Sequence, residues 1–314
     1  MTGTDLEFAA TLLRKGELVA IPTETVYGLA GNALSAEAVI RIYEVKNRPR
    51  FNPMIVHIGH VDQVPLYARH FPDAAKQLAG AFMPGPLTLL LDKNDLIPDL
   101  VTAGSQRVAL RIPAHPMTRA LLHKLEFPLA APSANPFGYI SPTQAAHVEE
   151  QLGEKIPYIL DGGPCEVGIE STIVGFSETG IPVVYREGAV SLEDLRKTAG
   201  EVRLNEKRKV EAPGMLESHY APGAKLLLGN VDQLLKENDG EKIATLTFST
   251  RPKSWHPILS LVLSESQDLA EAARNLFGYL RVLDASGARL IIAEEVPPHG
   301  IGRAINDRLR RAAS

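Results

Sequence analysis

Through residues 1–198, short apolar runs alternate with amphipathic stretches, and this alternation limits the fold more than any other feature. Glu17–Ile21, Met54–Ile58, Leu87–Leu91, Val108–Ile112, Tyr158–Leu160, Ser171–Val174 and Pro182–Tyr185 are short and apolar, as strands are. Between them, Asp5–Lys15, a stretch from Ser35 to Val45, Asp73–Phe82, Pro116–Leu125 and Thr143–Leu152 have helical spacing. Ser35 is a natural N-cap for its helix. Strands alternating with helices predict an α/β domain around a twisted sheet of about seven strands. Pattern alone leaves the polarity of that sheet open.

The rhythm breaks after Lys197. Thr198–Ala212 is charged with little apolar periodicity, and Pro213–Gly223 is rich in helix and strand breakers. A second alternation follows. Lys225–Leu228, Ile243–Phe248, Leu259–Leu263 and Leu290–Ala293 read as strands, and Gln267–Val282 and Arg303–Ala313 as helices. The expected organisation is a catalytic domain over 1–198, an ordered linker over 199–223 and a small Rossmann-like α/β domain over 224–314.

The chain has 314 residues, enough for about two domains at roughly 150 residues each. Its net charge of −4 excludes a global basic field for nucleic acid. Cys165, the one cysteine, excludes an internal disulfide and a cysteine-rich zinc site. The N-terminus lacks the basic start and apolar run of a signal peptide, and no apolar run approaches the ~18 residues of a membrane span. These features predict a cytoplasmic protein with no membrane contact.

Polar chemistry collects at strand ends. Pro22-Thr-Glu-Thr-Val-Tyr-Gly28 follows the first strand with hydroxyls and a carboxylate, a capping arrangement or part of an anion site. Lys46, Arg48 and Arg50 sit at a helix C-terminus, where cations favour the dipole. Pro49 and Asn52-Pro53 also stiffen that loop enough to fix a polyanion. Arg107 and Arg111 share one face of a strand, so that face meets either solvent or an anionic ligand. A further strand, Leu129–Ala131, delivers Ser133 and Asn135 into a Pro-rich loop. Asp161–Thr172 is Gly-rich but is no Walker loop, and Gly300-Ile-Gly302 reads as helix entry rather than a dinucleotide fingerprint. Cys165 lacks an adjacent base and reads as structural. No nucleophile stands out, so the set predicts a cleft that binds several anions and acts by positioning and charge stabilisation.

The ordered motifs Pro22–Gly28, Lys46-x-Arg48, Asn52-Pro-x-Ile-Val-His57, Pro84-Gly-Pro-Leu-Thr88, Arg111-x-Pro113, Ala131-Pro-Ser-Ala-Asn135, Ser141-Pro-Thr143 and Glu170-Ser-Thr-Ile173 resemble the YrdC-like threonylcarbamoyl-AMP synthase family. Pro213-Gly-Met and His219-Tyr-Ala-Pro222 resemble its long two-domain form. The resemblance implies that L-threonine, bicarbonate and ATP yield threonylcarbamoyl adenylate and pyrophosphate, with magnesium accompanying ATP and no protein-bound metal. It implies use of the product by a tRNA threonylcarbamoyl transferase. It assigns Thr25, His57, Arg111, Ala131 and Ser171 to threonine, with Arg111 on the carboxylate. It assigns Lys46, Arg48, Asn52, Ser133, Asn135, Ser141 and Arg186 to ATP, with Lys46 facing phosphate. Lys46, Arg48 and Arg111 carry the charge stabilisation, and His219 and Tyr220 become lid residues. Arg107 departs from relatives that carry a small hydroxyl there, leaving its role open. The alternative expectation is an RNA-binding module of the same fold without turnover.

Overall fold

The computed structural model describes residues 1–205, 219–252 and 257–314. The chain divides into two compact units. The first comprises Met1–Phe137, Pro142–Glu166 and Glu170–Met215; the second comprises Gly138–Ser141, Val167–Ile169 and Leu216–Ser314.

In the first unit the strands are β1 (Thr2–Gly3), β2 (Val19–Ile21), β3 (Gly28–Asn32), β4 (Ile55–His57), β5 (Leu87–Asp92) and β6 (Arg107–Arg111). They continue with β7 (Leu129–Ala130), β8 (Tyr158–Leu160), β9 (Thr172–Phe176), β10 (Pro182–Arg186) and β11 (Arg203–Leu204). Among the described residues these make an 11-stranded mixed sheet ordered β1-β8-β2-β3-β7-β4-β6-β5-β9-β10-β11. Strand β2 is buried along its length, and its alternate residues enter different clusters. Ala20 packs with Leu29, Ile42 and Val56, whereas Val19 and Ile21 pack with Ala30, Leu121 and Leu160. Burial on both faces explains a continuous apolar run in place of strict alternation.

The helices are α1 (Leu6–Arg14), α2 (Ala36–Lys46), α3 (Val64–Tyr67), α4 (Asp73–Phe82), α5 (Pro116–His123), α6 (Ala145–Leu152) and α7 (Leu192–Ala199). Helix α2 starts as the sequence predicts: the Ser35 side chain accepts from the Ala38 N–H, and Glu37 lies in the first turn. It stops at Asn47, which takes the left-handed conformation at φ 53°. The Arg48 N–H then donates to the Tyr43 carbonyl at 2.8 Å, closing the helix in the manner of a Schellman motif.

Three strands escaped the sequence pattern. β1 and β11 have two residues each, and β3 reads Gly-Leu-Ala-Gly-Asn, whose two glycines weaken the strand signal. β11 falls inside the expected 199–223 linker, yet pairs in parallel with β10 at Val183–Arg203. Its side chains are exposed, so it lacks the apolar alternation that announces a strand. The rest of that linker, 206–218, with Pro213-Gly-Met, lies outside the described residues.

The second unit holds β12 (Lys225–Leu228), β13 (Ile243–Thr247), β14 (Leu259–Val262) and β15 (Leu290–Ala293), in the parallel order β12-β15-β13-β14. Its helices are α8 (Val231–Glu237), α9 (Leu269–Ala285) and α10 (Gly302–Ala312). The inward stripe of α9 is Ala272, Ala273, Leu276, Phe277, Leu280 and Leu283, a helical period that the sequence predicts. The sequence boundaries assign the pieces 138–141 and 167–169 to the catalytic domain. Here they count with the second unit. Arg281 on α9 donates to the Ile140 carbonyl and stacks over Tyr139, 5.1 Å from its centroid. Gly168, at φ 83°, lies so close to α9 that a Cβ would come within 2.4 Å of the Arg274 Cα. Among the described residues no helix is long and apolar enough to cross a membrane.

Candidate functional site

The loop from Pro22 to Gly28 is organised by Thr23. Its hydroxyl donates to the Val26 carbonyl at 2.6 Å, accepts from the Thr25 and Val26 N–H groups, and lies 2.8 Å from the Thr25 hydroxyl. Such side-chain to backbone bonds replace helix or strand pairing locally. Thr25 is thereby fully buried and held. Gly28 pairs with Ser133 through an isolated antiparallel bridge, which ties this loop to the Pro-rich loop after β7.

Strand pairing places Arg111 directly beside His57, in register across β6 and β4. The buried Arg111 has an anionic partner within the chain. Its Nη2 donates to Glu24 Oε1 at 2.7 Å, and Nε donates to the Gly85 carbonyl at 3.3 Å. Glu24 Oε2 also accepts from the Ala114 N–H at 2.9 Å. The sequence leaves solvent or an anionic ligand for this strand face, and each arginine instead has a partner inside the chain. Arg111 meets Glu24, while Arg107 stacks over Tyr185 at 4.8 Å and donates to the Tyr185 hydroxyl. Glu24 is the site residue that sequence reasoning missed as a partner. Its signal was the demand of a buried arginine for an anion.

His57 is enclosed. Burial first, and then the charge of Arg111, push its imidazole down to about 3, against raising contributions from the Ile55 and Leu129 backbone. It is neutral at physiological pH, and Nδ1 has no hydrogen-bond partner among the described residues. Ala131 is fixed by its N–H to the Ile55 carbonyl at 3.0 Å. Cys165 is buried, and its thiol is pushed up to about 12 by burial and by the charge of Glu24, so it stays protonated.

At the far end of α2, Lys46 donates to the Ser133 carbonyl at 2.5 Å and to the Asn135 carbonyl. The Phe137 N–H returns to the Lys46 carbonyl at 2.8 Å. Lys46 therefore clamps the Ser133–Asn135 loop. Burial, reinforced by the charge of Arg48, holds its ammonium well below the usual lysine value. Arg48 donates to the Asn52 carbonyl at 3.1 Å and the Pro53 carbonyl at 2.7 Å. Asn52 is fully buried, and neither its Oδ1 nor its Nδ2 has a hydrogen-bond partner among the described residues. Leaving a buried amide unsatisfied costs free energy.

Ser171 and Arg186 form a third cluster. Arg186 donates through Nη2 to the Ser171 carbonyl at 2.9 Å and to its hydroxyl at 3.1 Å. That hydroxyl also lies 2.7 Å from the Thr88 hydroxyl on β5. Gly188 permits this approach, because a Cβ there would sit 2.5 Å from the Glu170 carbonyl oxygen and the Thr172 nitrogen. Residues assigned to different substrates, Ser171 and Arg186, are thus bonded to each other.

Ser141, His219 and Tyr220 belong to the second unit. His219 and Tyr220 are buried there, with their rings 4.1 Å apart edge to face, and Tyr220 packs on Phe277 at 5.4 Å. Among the described residues no group of three His, Cys, Asp or Glu side chains is arranged to hold a metal.

The first unit is a mixed α/β fold with buried cations and unsatisfied polar groups at strand ends, an arrangement that suits anionic small molecules. Residues 11–188 match the family model for Sua5, YciO and YrdC, described as telomere recombination. Residues 190–314 match the threonylcarbamoyl-AMP synthase C-terminal domain. The chain belongs to this family in its two-domain form. It is 39% identical to the threonylcarbamoyl-AMP synthase of Pyrococcus abyssi, over 98% of this chain and 94% of that protein. It is also 39% identical to that of Bacillus subtilis, over 97% and 92%. A crystal structure of P. abyssi Sua5 complexed with L-threonine superposes with a TM-score of 0.93 at 38% identity, covering 100% of this chain and 97% of that one.

Proposed function

We propose that this chain condenses L-threonine, bicarbonate and ATP into L-threonylcarbamoyl adenylate, with release of pyrophosphate. The observation that carries the reading is the end-to-end similarity to threonylcarbamoyl-AMP synthases across both family regions. The site chemistry supports it. Bicarbonate takes up a proton and loses water to give carbon dioxide. Threonine's ammonium loses one proton to solvent, the free amine adds to carbon dioxide, and loss of a second proton from nitrogen leaves the carbamate. A carbamate oxygen then attacks the α-phosphorus as the bond to the β-phosphate oxygen breaks. Carboxylate, carbamate and triphosphate repel one another, and buried fixed cations offset that repulsion more strongly than cations in water.

Arg111 receives the amino-acid carboxylate, and Thr25, His57, Ala131 and Ser171 line the amino-acid side. A neutral His57 avoids adding a further charge to that pocket. Arg48, Asn52, Ser133, Asn135 and Arg186 serve the nucleotide, and the buried amide of Asn52 supports that role. Lys46 acts there by holding the Ser133–Asn135 loop. Magnesium enters with ATP as part of the substrate. The product is an activated carbamoyl donor for a tRNA threonylcarbamoyl transferase, in the cytoplasm where ATP and tRNA meet.

The test is pyrophosphate release by the purified chain given ATP, magnesium, bicarbonate and threonine. Release is expected only with threonine present. Release independent of threonine overturns the assignment, as does RNA binding without any turnover.

A further inference from the structure

We propose that Glu24 is a positioning residue for the amino-acid carboxylate, acting through Arg111; this rests on the threonylcarbamoyl-AMP reading above. Arg111 is held on two sides, by Glu24 Oε1 at Nη2 and by the Gly85 carbonyl at Nε. Its Nη1 makes no hydrogen bond among the described residues. A guanidinium is a planar fork, so fixing Nε and Nη2 also fixes the direction of Nη1. Glu24 is itself locked, because its other oxygen accepts from the Ala114 N–H. This carboxylate therefore joins the Pro22–Gly28 loop to the exit of β6.

The neighbouring residue adds the second half of the argument. Thr25 is adjacent in sequence to Glu24, and its hydroxyl is held by Thr23. One backbone step thus sets both Thr25 and the arginine fork. An amino acid read at its carboxylate and at its side-chain hydroxyl needs those two contacts in fixed relation. Glu24 occupies Nη2 and the Gly85 carbonyl occupies Nε, so an incoming carboxylate meets the guanidinium only in the direction these two contacts set. The other titratable groups facing the pair are His57, which is neutral, and the protonated thiol of Cys165. Glu24 is accordingly the fixed anion that orients the arginine.

The experiment measures steady-state pyrophosphate release and calorimetric threonine binding for the full chain and for Glu24→Gln and Glu24→Asp. Glutamine keeps the shape but turns one acceptor into a donor against the Ala114 N–H. It is expected to raise the threonine KM and Kd about tenfold or more while leaving the ATP KM within about twofold. The preference for L-threonine over L-threoninamide is expected to fall with it, since a loosened Arg111 no longer demands a carboxylate in one orientation. Glu24→Asp is expected to fall between. Equal losses for threonine and ATP in a folded variant, or an unchanged threonine Kd, overturn the role. If Glu24→Gln fails to fold, by circular dichroism, Glu24→Asp decides alone, and an unchanged threonine Kd there overturns it. A wild-type chain without threonine-dependent release defeats the proposed reaction itself. An active wild type with unaffected Glu24 variants defeats only this inference.

Discussion

Two buried asparagines show how differently the two units treat polar side chains. Asn306, in the second unit, accepts from the Val296 N–H and donates to the Val296 carbonyl, both at 2.8 Å. It replaces a strand partner, and its amide is used up inside the protein. Asn52, in the first unit, is just as buried, but neither amide atom has a partner among the described residues. A satisfied buried amide contributes to stability, whereas an unsatisfied one costs free energy that a ligand returns on binding. The same residue type at the same burial thus has opposite hydrogen-bonding states in the two units.

The arginines extend the contrast and offer the largest test. Arg308 is fully enclosed in the second unit, bonded to its own helix and stacked over Tyr220 at 5.7 Å. Arg111 is paired on one side and open on Nη1. Arg111→Ala is expected to lower kcat/KM for threonine by about a hundredfold or more, with a far smaller change for ATP, because it removes a charged contact and strands Glu24. Equal losses in the two titrations would break the assignment of Arg111 to the amino acid.

Asn52→Ala is expected to raise the ATP KM about tenfold, with a melting temperature that holds or rises, since the amide gives the free protein nothing. A clear fall in melting temperature would show that Asn52 resembles Asn306 after all. Asn306→Ala should do the reverse, destabilising the chain by about 2 kcal/mol in denaturant unfolding and leaving both KM values alone. Altered kinetics in a folded Asn306 variant would remove the distinction between the units.

The last test is a pH dependence. The folded imidazole of His57 titrates near 3, below the ordinary value of 6.5, so on acidification the unfolded chain takes up the proton first. The stability from neutral His57 is complete above pH 6.5 and drains away between 6.5 and 3, at a slope of up to about 1.4 kcal/mol per pH unit. His57→Gln should flatten the acid limb of the stability curve over that window. An unchanged limb would mean that His57 is not the group being titrated.

Much of this molecule was legible from local pattern. Helix α4 and strand β8 occupy the residues that periodicity predicts, and Ser35 caps α2 as its side chain suggests. The second unit's strands also follow their apolar runs, and its central strands β13 and β15 are buried along their length, where a parallel strand needs little else. Helices α3, α7 and α8 and strands β1, β3 and β11 escaped because they are short, charge-rich or glycine-containing, and pairing rather than propensity makes such strands. The site was legible as a set of residue types at strand ends, while its wiring was not.

Sequence by itself determined which groups are available: a carboxylate in the Pro22–Gly28 loop, cations after α2, an arginine ending β6, and two alternations of strand and helix. Each depends on short-range chemistry such as periodicity, capping and turn stiffness, which acts within a few residues. Tertiary structure decided the partners. Glu24 and Arg111 lie 87 positions apart, and Lys46 reaches the Asn135 carbonyl across 89. It also decided that β4 runs parallel to β6 and antiparallel to β7, which brings His57 beside Arg111. A strand's own residues specify which faces are apolar but not which neighbour they meet. That choice follows from packing the whole sheet around its core, and so the meaning of Glu24 became visible only in the folded chain.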